Sequence, residues 1–129
     1  MLILNHPQIA PLNLCYVDSK EAVAKTLPRD FLILNCDNFT NTLTLAKFLQ
    51  ENNTSYAVMP TSVYEALTLV NLNVRFLLTE DLEMAKTLQK LAETYLFDCK
   101  ILLCVYDTAH RQSEIETAAN FGIDGVLCL

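Results

Sequence analysis

The side chains with the most chemical potential stand where short apolar runs end. Phe31-Leu-Ile-Leu-Asn-Cys-Asp-Asn38 closes on a thiol between an amide and a carboxylate, Thr79-Glu80-Asp81 follows Val74–Leu78, and Asp107-Thr108 follows Ile101–Tyr106. A thiolate is a nucleophile or redox sensor, and a carboxylate is a base or a hard ligand for a cation. Neither chemistry is complete in sequence. A reactive Cys36 needs positive charge nearby to lower its pKa, but its neighbours are Asn35 and Asp37, so redox sensing ranks third among the readings. His6 and His110 are too few and too far apart to form a readable Ser-His-Asp or Cys-His set, and His110-Arg111 reads as a solvated loop pair. Lys100 precedes its apolar run, at the wrong end of a parallel strand for Schiff-base chemistry.

These groups must be held by a compact scaffold. The chain has 129 residues, 52% apolar and 19% charged, which suits one domain burying roughly two-thirds of the surface its unfolded form exposes. It contains no run of about 18 uncharged apolar residues for a membrane span, and the start MLILNHPQIAP lacks the basic region and cleavage site of a signal peptide. A cytoplasmic location is expected. The five cysteines, at 15, 36, 99, 104 and 128, form no C-x-x-C pair and lie in or beside apolar runs, so they read as small buried hydrophobes rather than zinc ligands or disulfides. A net charge of −6, with no clustered Lys and Arg, opposes direct nucleic-acid binding. With only two glycines, the chain has neither G-x-G-x-x-G nor a P-loop, which excludes the usual phosphate cradles. No cofactor and no metal is expected.

The elements follow from periodicity. The runs Leu12–Val17, Phe31–Cys36, Tyr56–Met59, Val74–Leu78, Ile101–Tyr106 and Gly125–Leu129 predict buried strands, alternating with helix-period segments as in a parallel α/β sheet. Val63, Ala66, Leu67 and Val70 mark one helix face, and a long helix over residues 80–97 carries Leu82, Ala85, Leu88, Ala92 and Tyr95. Ser62-x-x-Glu65 and Ser113-x-x-Glu116 fit the capping box, Asp18-Ser-Lys-Glu21 is a related start signal, and Gly122 suits a left-handed helix end. Function in such sheets gathers beyond the strand carboxyl ends, where Asp18, Thr61, Thr79 and Thr108 also serve as helix caps. One reading on these grounds is a half (β/α) barrel, a small-ligand-binding protein or enzyme with an acidic site of Asp18, Asp37, Thr79 and Asp107.

Residues 31–129 also resemble the receiver domain of two-component response regulators. FLILNCDNFTNTLTLAKFLQ is similar to its first strand and helix, SYAVMPTSVYEALTLV to the second pair, and VRFLLTED to the third strand. The rest of the likeness lies in ILLCVYDTAHRQSEIETAANFGIDGVLCL, whose close resembles the A-x-x-A-G-A-D-G-Y stretch of receivers. The resemblance implies a doubly wound, flavodoxin-like five-stranded parallel sheet; residues 1–30 depart from it as an added N-terminal β-strand/helix extension expected to pack on the domain. It also implies an acid pair, an acceptor Asp, a hydroxyl and a Lys, and this chain has Asn35 with Cys36, Thr79, Asp107 and Leu129 at those places. All five are replaced, so magnesium loses its hard ligands and phosphoryl transfer its nucleophile. Asp37, Glu80, Asp81 and Asp107 could form an off-register acidic pocket instead. The implied protein is an atypical, non-phosphorylatable pseudo-receiver, a regulatory signalling module without catalysis. It would act through a protein partner or as a homodimer, with no membrane or direct nucleic-acid contact and no small molecule identified. Receivers end on a fifth helix absent after Leu129, so either residues 1–30 cover the bare sheet face or a partner or a downstream output domain does.

Overall fold

Aliphatic runs of three to six residues, each too short for a helix, become strands here, and those inside the sheet are buried by neighbours on both sides. The computed structural model describes residues 1–129. In chain order the elements are β1 (Leu2–Leu4), β2 (Leu14–Tyr16), α1 (Lys20–Ala24), β3 (Phe31–Asn35), α2 (Phe39–Glu51) and β4 (Ala57–Met59). They continue with α3 (Val63–Val70), β5 (Phe76–Thr79), α4 (Leu82–Tyr95), β6 (Lys100–Val105), α5 (Arg111–Asn120) and β7 (Gly125–Cys128). No helix is long and apolar enough to cross a membrane.

All strands are parallel, in one seven-stranded sheet of order β1-β7-β6-β5-β4-β3-β2. This corrects the doubly wound five-stranded expectation. A receiver-like sheet would place β3 between β4 and β5, whereas β4 pairs with both. From β2 to β7 every crossover steps the same way, and right-handed crossovers that never reverse direction lay all their helices on one face. The burial pattern agrees. Leu45, Leu49, Ala66, Leu69, Ala85, Leu88, Ala92 and Ala118 from the helices join the outward strand residues Leu34, Val58, Leu77, Ile101, Leu103 and Val126 in one core. The opposite face is a separate cluster of Ile33, Ala57, Phe76, Leu78, Leu102, Cys104 and Leu127, to which no helix contributes. The result is a half-barrel.

Residues 1–30 do more than pack on this sheet, since β1 and β2 form its opposite edges. The link between them must therefore run from the end of β1 to the start of β2 across the helix-free side. Asn5, at φ 60, organises that link: its amide donates to the Cys128 carbonyl at 2.7 Å and its oxygen accepts from the Leu12 N–H at 2.7 Å. One side chain thus ties the end of β7, next to the β1 edge, to the run-in of β2. Leu12 then shares a cavity wall with Phe31, Ala57 and Phe76 of the inner face. Leu4 of β1 and Leu14 of β2 also pack against the inner cluster.

Local signals place the helices. Ser19, Asn38, Ser62 and Asp81 accept from backbone N–H groups at the starts of α1, α2, α3 and α4. In α3 the Glu65 carboxylate reaches one residue beyond the box, accepting from the Thr61 N–H and hydroxyl at 2.7 Å each. The expected Ser113 cap is not used. Helix α5 begins at Arg111, and the Ser113 hydroxyl donates to the His110 carbonyl inside the first turn. Tyr95 departs too, standing 68% exposed because α4 ends in a left-handed Leu96, φ 54, that turns the chain away. Gly122 has the expected positive φ of 69.

Before β7 the Asp124 carboxylate accepts from the Ile101 N–H at 2.9 Å and from the Gln89 amide at 3.1 Å, while Gln89 accepts from the Asp124 N–H. Helix α4, β6 and β7 are thereby fixed together. Gly125 beside it has no room for a side chain: a Cβ would lie 2.6 Å from the Leu2 carbonyl oxygen and 2.9 Å from Leu102 Cδ2. Close packing of β1 is the physical meaning of that Asp-Gly pair.

Candidate functional site

The strand carboxyl ends divide by which way each side chain points. Cys36 turns to the helix side and is 6% exposed; burial first, and then the Glu65 charge, push its thiol up to about 12. Such a thiol stays protonated and is a poor nucleophile. Thr79, 4% exposed, accepts the Asp81 N–H at 3.1 Å, and Asp81 in turn accepts the Glu83 N–H at 3.0 Å at the start of α4. Both are occupied with forming that helix. Asn35 accepts the Asp37 N–H at 3.3 Å, while Leu129 borders the inner cluster and donates its N–H to the Val105 carbonyl, continuing the sheet.

The acids do not converge. Asp107 lies 3.6 Å from Arg111 and its side chain is 85% exposed, whereas Glu80 accepts a hydrogen bond from Tyr106. No three His, Cys, Asp or Glu side chains are arranged to hold a metal ion. Asp18 and Asp37 do share a small recess, about 180 Å³, with Asn35, Asn38 and Asn41 between β2, β3 and α2. The Asn41 amide donates to the Asp18 carbonyl at 3.0 Å across it. Thr79 and Asp107, expected to complete an acidic site with these two, are not among its walls.

A different set lies on the inner rim, and of its members only Asn35 and Glu80 were singled out in the sequence. Strand register places Tyr16, Asn35 and Met59 on the inner face at this end, and alternation adds Glu80 and Tyr106 one residue past their strands. Tyr106 donates to Glu80 at 2.7 Å, and that bond to a carboxylate, ahead of burial, raises the phenol to about 12. Counting by twos from the inward Ile33, Leu78 and Cys104 would have found this rim, had the strand order been known. His6 is held locally, its Nδ1 accepting the Gln8 N–H at 3.2 Å, and His110 offers no side-chain cap to α5. Arg111 alone among buried groups keeps an unpartnered atom, Nε. Lys100 stands at the far end of β6, opposite Phe76.

The cysteines are all free, with Cys36, Cys99, Cys104 and Cys128 buried and Cys15 half-buried. Burial raises the Cys99 thiol to about 11 and the Cys104 thiol to about 12. Cys128 is raised as well, although the Arg111 charge works in the other direction. Set beside known proteins, the chain matches no protein-family model and no curated protein.

Proposed function

We propose that this chain is a non-catalytic, non-phosphorylatable regulatory module that acts by contact with a protein partner or a second copy of itself. One observation carries the reading. Apart from Asp18 and Asp37 in their small recess, the strand-end groups that could attack, bind magnesium or transfer a proton are already engaged: Thr79, Asp81 and Asn35 in backbone hydrogen bonds, Cys36 by burial, Glu80 with Tyr106, and Asp107 beside Arg111. Contact chemistry is supported at the ends of α3 and α4. There Leu67, Leu91, Tyr95, Leu96 and Phe97 line an open groove of about 490 Å³, with Leu96 82% exposed.

The test has two arms. Incubation with acetyl phosphate and magnesium should leave the intact mass unchanged, and the gain of one phosphate on an aspartate overturns the reading. Sedimentation velocity over a concentration series should show self-association that Leu96→Glu weakens; a strict monomer at every concentration removes the self-contact form of the proposal.

A second reading, a small-ligand half-barrel, is favoured by the strand order and by the Asp18/Asp37 recess. Fold alone does not choose between them. Saturable binding of a polar metabolite-sized ligand that is lost in Asp18→Asn/Asp37→Asn would promote this second reading over the first.

A further inference from the structure

The inner face of the half-barrel is not completely filled. At the amino ends of β3, β4 and β5, opposite the end where parallel sheets place their sites, a cavity of about 330 Å³ opens between the sheet and the N-terminal crossover. That volume lies within the range of small-molecule pockets, about 300–1,000 Å³. Leu4 of β1 and Leu12 of the crossover form one wall, and Phe31 and Phe76 stack at 5.5 Å to make the aromatic wall.

The polar groups differ in whether they are free. Asp30 is engaged: its carboxylate accepts from the Leu27 N–H and from Asn13, each at 2.8 Å, and these bonds hold its pKa below the usual carboxylate range. Tyr56 is engaged as well, donating to the Leu72 carbonyl at 2.6 Å. Arg75 is not. Its guanidinium sits over the Phe76 ring, 5.5 Å from the centroid, and takes part in neither of the two ion pairs of the chain. Lys100 is paired in register with Phe76 and so adds a second positive charge on the same side at this end. Ser55 brings an exposed hydroxyl to the lip.

We propose that this cavity binds a small aromatic carboxylate, its ring against Phe31 and Phe76 and its carboxylate at the lip on Arg75. The apolar walls select a ring or short hydrocarbon over a sugar or nucleotide. The guanidinium presents paired N–H donors in the geometry a carboxylate accepts, which an uncharged amide cannot reproduce. Because the crossover forms one wall, a ligand here also braces the link between the two sheet edges, and occupancy is coupled to the order of residues 5–13. The site is independent of the contact surface at α3 and α4, so either can fail without the other.

The experiment uses the whole chain labelled with nitrogen-15, titrated with phenylacetate and, separately, with its uncharged analogue phenylacetamide. Phenylacetate should shift the amides of Leu12, Phe31, Ala57 and Phe76 saturably at millimolar concentration, and phenylacetamide should bind more weakly. Arg75→Gln, at an exposed position that keeps the fold, should weaken phenylacetate by at least about tenfold, the scale of one charge-assisted pair, and leave phenylacetamide unchanged. The spectrum of the unliganded variant reports whether it remains folded. Leu12→Trp, which fills the cavity from the crossover, should abolish both. The proposal is overturned by the absence of saturable shifts, by shifts centred away from these residues, or by equal phenylacetate affinity in wild type and Arg75→Gln.

Discussion

Replacing Asn5 tests whether one side chain ties the end of β7 to the link that runs between the two edge strands. In Asn5→Ala the Cys128 carbonyl and the Leu12 N–H lose partners now 2.7 Å away. At about 1 kcal/mol net for each hydrogen bond, that costs about 2 kcal/mol. Alanine must also adopt the φ of 60 seen here, which adds about 1–2 kcal/mol, whereas asparagine tolerates that region. The sum is about 3–4 kcal/mol, a large share of the roughly 5–15 kcal/mol that holds a domain folded. Asn5→Gly separates the contributions, because glycine takes the positive φ freely and loses only the hydrogen bonds, for about 2 kcal/mol. Urea unfolding with matched slopes measures both, and amide hydrogen exchange over residues 6–13 should rise in each variant. Wild-type stability in Asn5→Gly would refute the account, because the two bonds would then contribute nothing. Equal losses in both variants would refute the backbone part of it.

Two further predictions concern the core. Cys36, Cys99 and Cys104 hold their protons to about 12, 11 and 12, while an unfolded thiol titrates near 8.5. The native state binds the extra protons, so the stability they confer is complete below about pH 8.5 and is lost as pH rises through the folded values, at about 1.4 kcal/mol per pH unit for each thiol. Urea midpoints between about pH 8 and pH 10 should fall accordingly, with a shallower slope in Cys104→Ala, and a pH-independent midpoint would contradict this burial account. Gly125→Ala should destabilise by about 1–3 kcal/mol, since its Cβ would fall 2.6 Å from the Leu2 carbonyl oxygen and force β1 outward. A thermal melt within a degree of wild type would mean that β1 is not packed against β7 as described.

Much of the sheet was legible because period and composition act locally. Each of the six apolar runs overlaps a strand with its ends within two residues, and the Ser62 cap stands where its hydroxyl signal placed it, while α1 is capped by Ser19 rather than by the expected Asp18. The missed strand, Leu2–Leu4, is three residues long and owes its structure to pairing with Gly125–Leu127, far along the chain. No local pattern carries that. Strand order was illegible for the same reason: βαβ units can step in one direction or reverse, and right-handedness limits each unit without choosing the direction. The Gly-x-Asp-Gly close, which resembles a receiver, has a simpler origin in this chain. Asp124 ties α4, β6 and β7 together, and Gly125 admits β1.

The candidate site shows what that missing order conceals. Asn35, Cys36, Thr79 and Asp107 were brought together by strand ends alone, but Cys36 and Thr79 point to the helix side while Asn35 lies on the inner face. Successive side chains within a strand leave on opposite sides of the sheet, so Asn35 and Cys36 do not face a ligand together. The same parity makes Tyr16, Glu80 and Tyr106 neighbours on the rim and Phe31, Phe76 and Lys100 neighbours at the other end. Arg75, unremarkable in sequence as a lone base within the Val74–Leu78 run, gains meaning only from that assembly: it is a free guanidinium at the lip of an apolar cavity in a chain of net charge −6. A mobile anion repelled by the rest of this surface has a local reason to settle at that end, since Lys100 adds to the field there and the aromatic wall removes water from one side of the contact. Raising ionic strength should therefore weaken phenylacetate binding only modestly, because a partly desolvated pair is screened less than a solvated one. A steep salt dependence would place the anion on the open surface rather than in the cavity.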